Sequence, residues 1–270
     1  MHTDQLTVPA QTVRALVDEQ FPQWRELPVR AIASQGTVNA IFRIGGELAG
    51  RTRVRTPEPV ALGEPGAGYP LPWSVQTWLP GVVATAEDHA ESAAFARDLA
   101  EFITEVRAIG TGGRTFSGRG RGGDLRSHDA FMDECCRRSE HLLDVPRLRR
   151  MWQEMRDLPR GPGGDVMTHG DLIPGNVLVA GGRLAGVLDV GGLGPADPAL
   201  DLVGAWHLLE PGPRQVLREA LGSGDLEWQR GRAWAFEQAM GLVWYYEDTN
   251  PVMSHLGRRT VARLMASDGE

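Results

Sequence analysis

Val166-Met-Thr-His-Gly-Asp-Leu-Ile-Pro-Gly-Asn-Val-Leu-Val179 constrains this chain more than any other stretch. A short apolar piece runs into a polar loop that carries His169, Asp171 and Asn176. A second apolar strand leaves the loop. Leu184-Ala-Gly-Val-Leu-Asp189 follows as a further apolar strand, ending on a carboxylate and then Gly191-Gly192. The alternation sets the polar side chains in loops at the ends of apolar strands.

Those residue types at that spacing suit phosphoryl transfer. Such chemistry must position a hydroxyl, hold Mg²⁺ against phosphates and offset charge on the transferring group. Asp171, in a loop, is placed to accept a hydroxyl proton. Asn176, five residues on, can turn an amide oxygen onto a metal. Asp189, at a strand end, can hold that metal from the other side, because Mg²⁺ prefers oxygen ligands and keeps several waters. His169 reads as a hydrogen-bonding residue that orients the loop.

Composition narrows the field. The 270 residues are 41% hydrophobic and 23% charged, ordinary for a globular protein, with a formal net charge of −7. An acidic chain is a poor general binder of nucleic acid and suits a cationic small molecule better. No apolar run is long enough to span a bilayer, and Met1 to Val13 lacks a signal pattern, so no membrane association and a cytoplasmic location are expected. The chain contains no lysine, which excludes a Schiff base and a P-loop. Cys135 and Cys136 are neighbours in a helical pattern and read as reduced, inert thiols. Gly118-Arg-Gly-Arg-Gly-Gly123 spells a dinucleotide fingerprint, but it follows no strand and opens no βαβ unit, so a mobile loop is expected. Trp234, Trp244, Tyr245 and Tyr246 are expected in core and groove wall.

The periodicity predicts a helix over 11–21, a hairpin of Val29–Ala33 and Ala40–Ile44 around a polar tip, and strands at 60–62 and 73–78. Pro80-Gly81 marks a break that divides residues 1–80 from 81–270. Beyond it the chain is mainly helical. A helix from Thr85, read as its cap, should run to Ile109. Others are expected at 129–143, 145–158, 197–209, 213–221, 226–247 and 251–265.

His169-Gly-Asp-Leu-Ile-Pro-Gly-Asn176, followed by an apolar strand and Asp189-Val-Gly, resembles the aminoglycoside-phosphotransferase family. Leu188 to Leu202 is similar to that family's second signature, and Gln20 to Trp24, Trp73-Ser-Val, Gly231-Arg-Ala-Trp-Ala and Tyr245 to Pro251 extend the likeness over nearly the whole chain. The resemblance implies an α+β, two-lobed, protein-kinase-like fold: a small β-rich N-terminal lobe that binds nucleotide and a larger helical lobe for catalysis and substrate. It implies transfer of the γ-phosphoryl group of ATP or GTP, with Mg²⁺, to a hydroxyl of a small and cationic molecule of the aminoglycoside kind. Asp171 would be the base, and Asn176 and Asp189 the metal ligands. Ser34, Gly36, Thr37 and Asn39 would cover the nucleotide phosphates, and Gln76 and Trp78 would lie in the hinge that passes the base. Arg51, Arg53 or Arg55 would supply the phosphate-binding cation. Asp197 and Asp201 are expected to cap and anchor the next helix.

The stretch from Ile44 to Pro59 is shorter than the family pattern by about a strand end and a helix, and Pro57, Pro59 and Pro65 oppose a helix there. That leaves a second reading, a pseudoenzyme of the same fold acting as a nucleotide-binding or scaffolding module. Neither the acceptor nor the oligomeric state is encoded in these patterns.

Overall fold

The computed structural model describes residues 8–32, 41–44, 54–85, 87 and 89–266. Helix α1 (Ala10–Gln20) buries Val13, Leu16 and Val17, the i, i+3, i+4 stripe of an amphipathic helix. Strands β1 (Val29–Ile32) and β2 (Ile41–Ile44) form the expected antiparallel hairpin, and β3 (Pro59–Gly63) and β4 (Trp73–Gln76) form a second. The first helix and the second hairpin are tied by paired amides: Gln20 Nε2 donates to Glu64 O at 2.9 Å, and Glu64 N–H donates to Gln20 Oε1 at 2.8 Å. Phe21 packs on Trp24 and edge-on to Trp73. Among the described residues no helix lies between β2 and β3. The chain instead lands on the C-terminal part, where Arg55 O accepts a hydrogen bond from Val187 N–H at 2.9 Å.

After the Pro80-Gly81 break, β5 (Val82–Val83) joins a three-stranded sheet with two later strands, β7 (Val177–Ala180) and β8 (Arg183–Val187). Helix α2 (Ala93–Ala108) begins eight residues later than Thr85, against expectation. Ser92 is its cap, accepting from Phe95 N–H at 3.1 Å, while the Thr85 hydroxyl accepts from Glu87 N–H in a local turn. Its face of Phe95, Leu99, Phe102, Ile103 and Val106 enters the main core.

Helices α3 (Asp129–Arg138) and α4 (Val145–Met155) come next, then β6 (Val166–Thr168), β7 (Val177–Ala180), β8 (Arg183–Val187) and β9 (Gly194–Ala196). Strand β6 pairs with β9, and β7 with β8. On α2, Asp98 accepts from both the Arg183 side chain and Leu184 N–H, fastening this hairpin to the helix. A 3-10 segment (Pro198–Leu202) leads into α5 (Val203–Leu208), followed by α6 (Pro211–Leu221), α7 (Asp225–Tyr245) and α8 (Pro251–Ala266). Helix α7 is buried on most sides, which is why its sequence shows so little polar-apolar periodicity. Gly257 lets α8 approach it closely: a Cβ there would stand 2.8 Å from Ala239 O. Trp206 and Trp234 lie fully inside this helical core. No helix among the described residues is long and apolar enough to cross a membrane.

The glycine-rich stretch expected to be a mobile loop is held at its C-terminal end. Arg230, itself buried, donates to Gly123 O at 2.8 Å and to Asp197 Oδ2 at 2.6 Å. Asp197 N–H donates to Gly122 O. Gly122 has φ 108°, and a side chain there would meet Ala196 Cβ at 2.6 Å, so the backbone can lie against β9 only without one.

Candidate active site

The polar loop between β6 and β7 is built on one buried carboxylate. Asp201, in the 3-10 segment before α5, accepts from His169 N–H at 3.0 Å and Gly170 N–H at 2.7 Å. Burial pushes its carboxyl up from the usual range, and the two amide donors oppose that shift. Asp201 thus grips the loop itself, a larger role than anchoring the next helix. Asp197 does cap the segment, accepting from Ala199 N–H at 3.0 Å.

His169 is buried and spans two strands' ends. Its Nδ1 accepts from Asp171 N–H at 3.3 Å and its Nε2 stands 2.8 Å from Leu188 O. A carbonyl only accepts, so the ring carries its proton on Nε2. The imidazole therefore ties the loop to the residue just before Asp189.

Asp171 is partly exposed, and both its oxygens are engaged. Asn176 Nδ2 donates to Oδ2 and to the Asp171 carbonyl, both at 2.9 Å. Gln238 Nε2 donates to Oδ1 at 2.5 Å, and Arg121 Nη2 reaches the same oxygen at 3.2 Å. Arg121 also donates to Gly170 O at 2.9 Å, and its Nη1 lies 4.0 Å from Glu237 Oε2. On its other oxygen Glu237 meets His128 Nδ1 at 2.8 Å, a contact that raises the His128 pKa.

The β7–β8 register sets Asn176 opposite Leu188, the residue before Asp189. Val177 faces Val187, and Leu188 N–H donates to Asn176 O at 2.8 Å. With its amide nitrogen committed to Asp171, Asn176 keeps Oδ1 as an acceptor. Asp189 is exposed, in left-handed backbone (φ 58°, ψ 40°), and its carboxylate has no hydrogen-bond partner among the described residues. An amide oxygen and a free carboxylate suit Mg²⁺, which would complete its shell with phosphate oxygens and water. Among the described residues no three His, Cys, Asp or Glu side chains cluster as a metal cage.

Asp171 and Asn176 are therefore brought into contact, and Asp189 follows the residue paired with Asn176. Gln76 ends β4 exposed, and Trp78, half-buried, sits in the connector to β5, which pairs with β7. Ser34, Gly36, Thr37, Asn39, Arg51 and Arg53 lie outside the described residues. Cys135 and Cys136 are buried, and burial pushes the Cys135 thiol up to about 12, consistent with inert thiols.

The sequence model of the phosphotransferase enzyme family matches residues 27–234. The chain belongs to that family. An aminoglycoside 3'-phosphotransferase of Streptomyces fradiae is 34% identical over 194 residues, covering 66% of this chain and 69% of that protein. One from Escherichia coli is 42% identical over 62 residues, 23% of this chain and 22% of that protein. Among solved structures, the GDP and kanamycin complex of an aminoglycoside 2"-phosphotransferase superposes with a TM-score of 0.71 at 18% identity, covering 95% of this chain and 99% of that one. The fold is thus protein-kinase-like, mixed in helix and strand, and the family makes the chain a small-molecule phosphotransferase. The family match supports the enzyme reading, and nothing in the comparisons supports the pseudoenzyme.

Arg121, Gln238, Glu237 and His128 were not singled out from sequence. Arg121 and Gln238 are 50 and 67 residues from Asp171, so spacing carries no sign of the contact. One signal was available: Glu237-Gln238 stands inside Ala-Phe-Glu-Gln-Ala-Met, two polar residues in an otherwise apolar helix run. Buried polar side chains need partners.

Proposed function

We propose that this phosphotransferase moves the γ-phosphoryl group of ATP or GTP to a hydroxyl of a small, cationic acceptor of the aminoglycoside type. The observation that carries the reading is the contact of Asp171 with Asn176 at 2.9 Å, with the exposed Asp189 next to Leu188, the residue paired with Asn176. In this reading the acceptor oxygen forms its new bond to phosphorus as the bond to the nucleoside diphosphate breaks, and Asp171 takes the hydroxyl proton. Asn176 and Asp189 hold Mg²⁺, which supplies charge neutralisation at the phosphates. The nucleotide lies between a small lobe (residues 1–80) and a large one (81–270), under Ser34, Gly36, Thr37 and Asn39, with Arg51 or Arg53 on the phosphates and the Gln76–Trp78 connector at the base. The relatives' named acceptors and the bound GDP and kanamycin of the structural neighbour support this choice of substrates. A cytoplasmic site of action, where antibiotic modification confers resistance, belongs to the same proposal.

The test is a thermal-shift titration with Mg²⁺ and ATP or GTP on the parent and on Asp189→Asn, followed by an acceptor screen that includes kanamycin. A ligand that binds the folded state raises its stability. A magnesium-dependent rise in the parent that is absent in the variant supports the reading. No rise with either nucleotide would sink it.

A further inference from the structure

Behind Asp171 runs a chain of buried polar side chains that the reaction chemistry does not itself require. Gln238 on α7 donates to Asp171 Oδ1 at 2.5 Å. Its Oε1 lies 3.2 Å from His207 Nε2 on α5, and His207 Nδ1 lies 2.9 Å from Thr260 Oγ1 on α8. Three helices contribute one residue each, and Gln238, His207 and Thr260 are all buried.

The direction of every bond follows from the carboxylate. A Gln238 turned the other way would set its oxygen against Asp171 Oδ1 at 2.5 Å with no proton between them, so the amide nitrogen must face Asp171. Gln238 Oε1 then needs a donor, which places the His207 proton on Nε2. The bare Nδ1 then accepts, so the Thr260 hydroxyl donates. Full burial keeps the imidazole neutral, lowering its pKa to about 3.

We propose that Thr260, His207 and Gln238 form a one-way donor chain that fixes the orientation of the Asp171 carboxylate, with Gln238 and the two residues behind it acting as positioning residues. The chain has a consequence for which oxygen reacts. Oδ1 receives two donors, Gln238 and Arg121, and both its lone pairs are used. Among the described residues Oδ2 receives only Asn176, and it keeps one lone pair for the acceptor hydroxyl. The catalytic use of the chain rests on the functional reading above, whereas its existence does not.

Two measurements test it. Long-range ¹H–¹⁵N correlation of the histidine rings, with His207→Gln for assignment, reads the tautomer without any substrate. The chain requires a neutral Nε2–H ring at pH 7; an Nδ1–H ring or an imidazolium overturns it. The second is steady-state kinetics with Mg²⁺, ATP or GTP, and kanamycin or the best acceptor from the screen. Gln238→Met should lower kcat about a hundredfold, the scale of misplacing a reacting group by an ångström. Thr260→Val keeps the shape and loses the hydroxyl, and should lower kcat about fivefold, the factor one net hydrogen bond corresponds to, with the nucleotide KM unchanged. Thr260→Ser keeps the hydroxyl and should recover most of the rate. A purely packing role gives the reverse order, with valine tolerated and serine harmful, and overturns the inference. If no acceptor is phosphorylated, the functional reading fails while the tautomer still decides the chain.

Discussion

Two flanks converge on Oδ1 of Asp171, and they are built from opposite materials. One is ionic: Arg121 and His128, both partly buried, reach the buried Glu237 between them. The other is neutral and buried, running through Gln238 and His207 to Thr260. Both start from neighbouring residues of α7, Glu237 and Gln238, which a helix turns to different azimuths. Each flank meets the cost of burial in its own way. Buried charges carry a heavy desolvation penalty unless they are paired, whereas neutral dipoles need only hydrogen-bond partners. The flank that points into the core is therefore made of an amide, an imidazole and a hydroxyl. The ionic flank is also the less complete one, since among the described residues Glu237 Oε2 accepts no hydrogen bond and stands 4.0 Å from Arg121 Nη1.

Removing the point where the flanks meet should have the largest effect. Asp171→Asn keeps the shape and loses the charge, and kcat should fall by about 10³, within the range for a general base. Rate measurement with the best acceptor checks it, and a residual rate near that of the parent would remove Asp171 from the chemistry.

The buried flank predicts an acid limit on stability. The folded His207 pKa, about 3, lies below its unfolded value of 6.5, so between those pH values the unfolded chain binds more protons than the folded one. Its contribution is whole above about 6.5 and is lost at about 1.4 kcal/mol per unit as pH falls through that window. Urea unfolding from pH 7 to 4 should show this slope in the parent and a shallower one in His207→Gln.

The ionic flank is probed by Arg121→Gln, which should lower kcat about tenfold, the cost of one charge-assisted hydrogen bond. Arg121→Lys should not restore it, because one ammonium cannot reproduce the fork that serves Gly170 O, Asp171 and Glu237 together. Full activity in the lysine variant would reduce Arg121 to a generic positive charge.

The smallest effect belongs to His128, and its sign is opposite to that of His207. Its hydrogen bond to Glu237 raises the folded pKa above 6.5, so the stability it adds is whole below that value and fades as pH rises through the folded pKa. His128→Asn should therefore cost more melting temperature at pH 5.5 than at pH 8.5. An equal loss at both would mean that the pair is not ionised.

How much of this could be read from the chain follows from how local each signal is. Asp171 and Asn176 are five residues apart, and Asp189 closely follows the strand that returns beside Asn176, so the signal for all three is local. The helix starts show where local reading stops. Thr85 and Ser92 are both hydroxyl residues able to cap, and the choice falls to Ser92 because residues 89–91 are taken up in a turn, with Ala90 O accepting from Glu210 N–H at 2.9 Å. The two donors to Oδ1 of Asp171 come from a loop and a helix far along the chain, where only the tertiary fold decides who meets. Of the glycines around Arg121, Gly118 and Gly120 do face open space, but Gly122 and Gly123 are closely packed, because their contact partners, Ala196 on β9 and Phe116, lie elsewhere along the chain.

Asp189 holds a left-handed backbone conformation that costs a residue with a side chain about 1 kcal/mol and costs glycine nothing. The position carries a trade between activity and robustness. A glycine there should raise the melting temperature of the bare protein while taking away the carboxylate proposed to hold the metal. Selection for heat resistance alone would then find this substitution, and the gain would come as a sturdier protein with an empty hand.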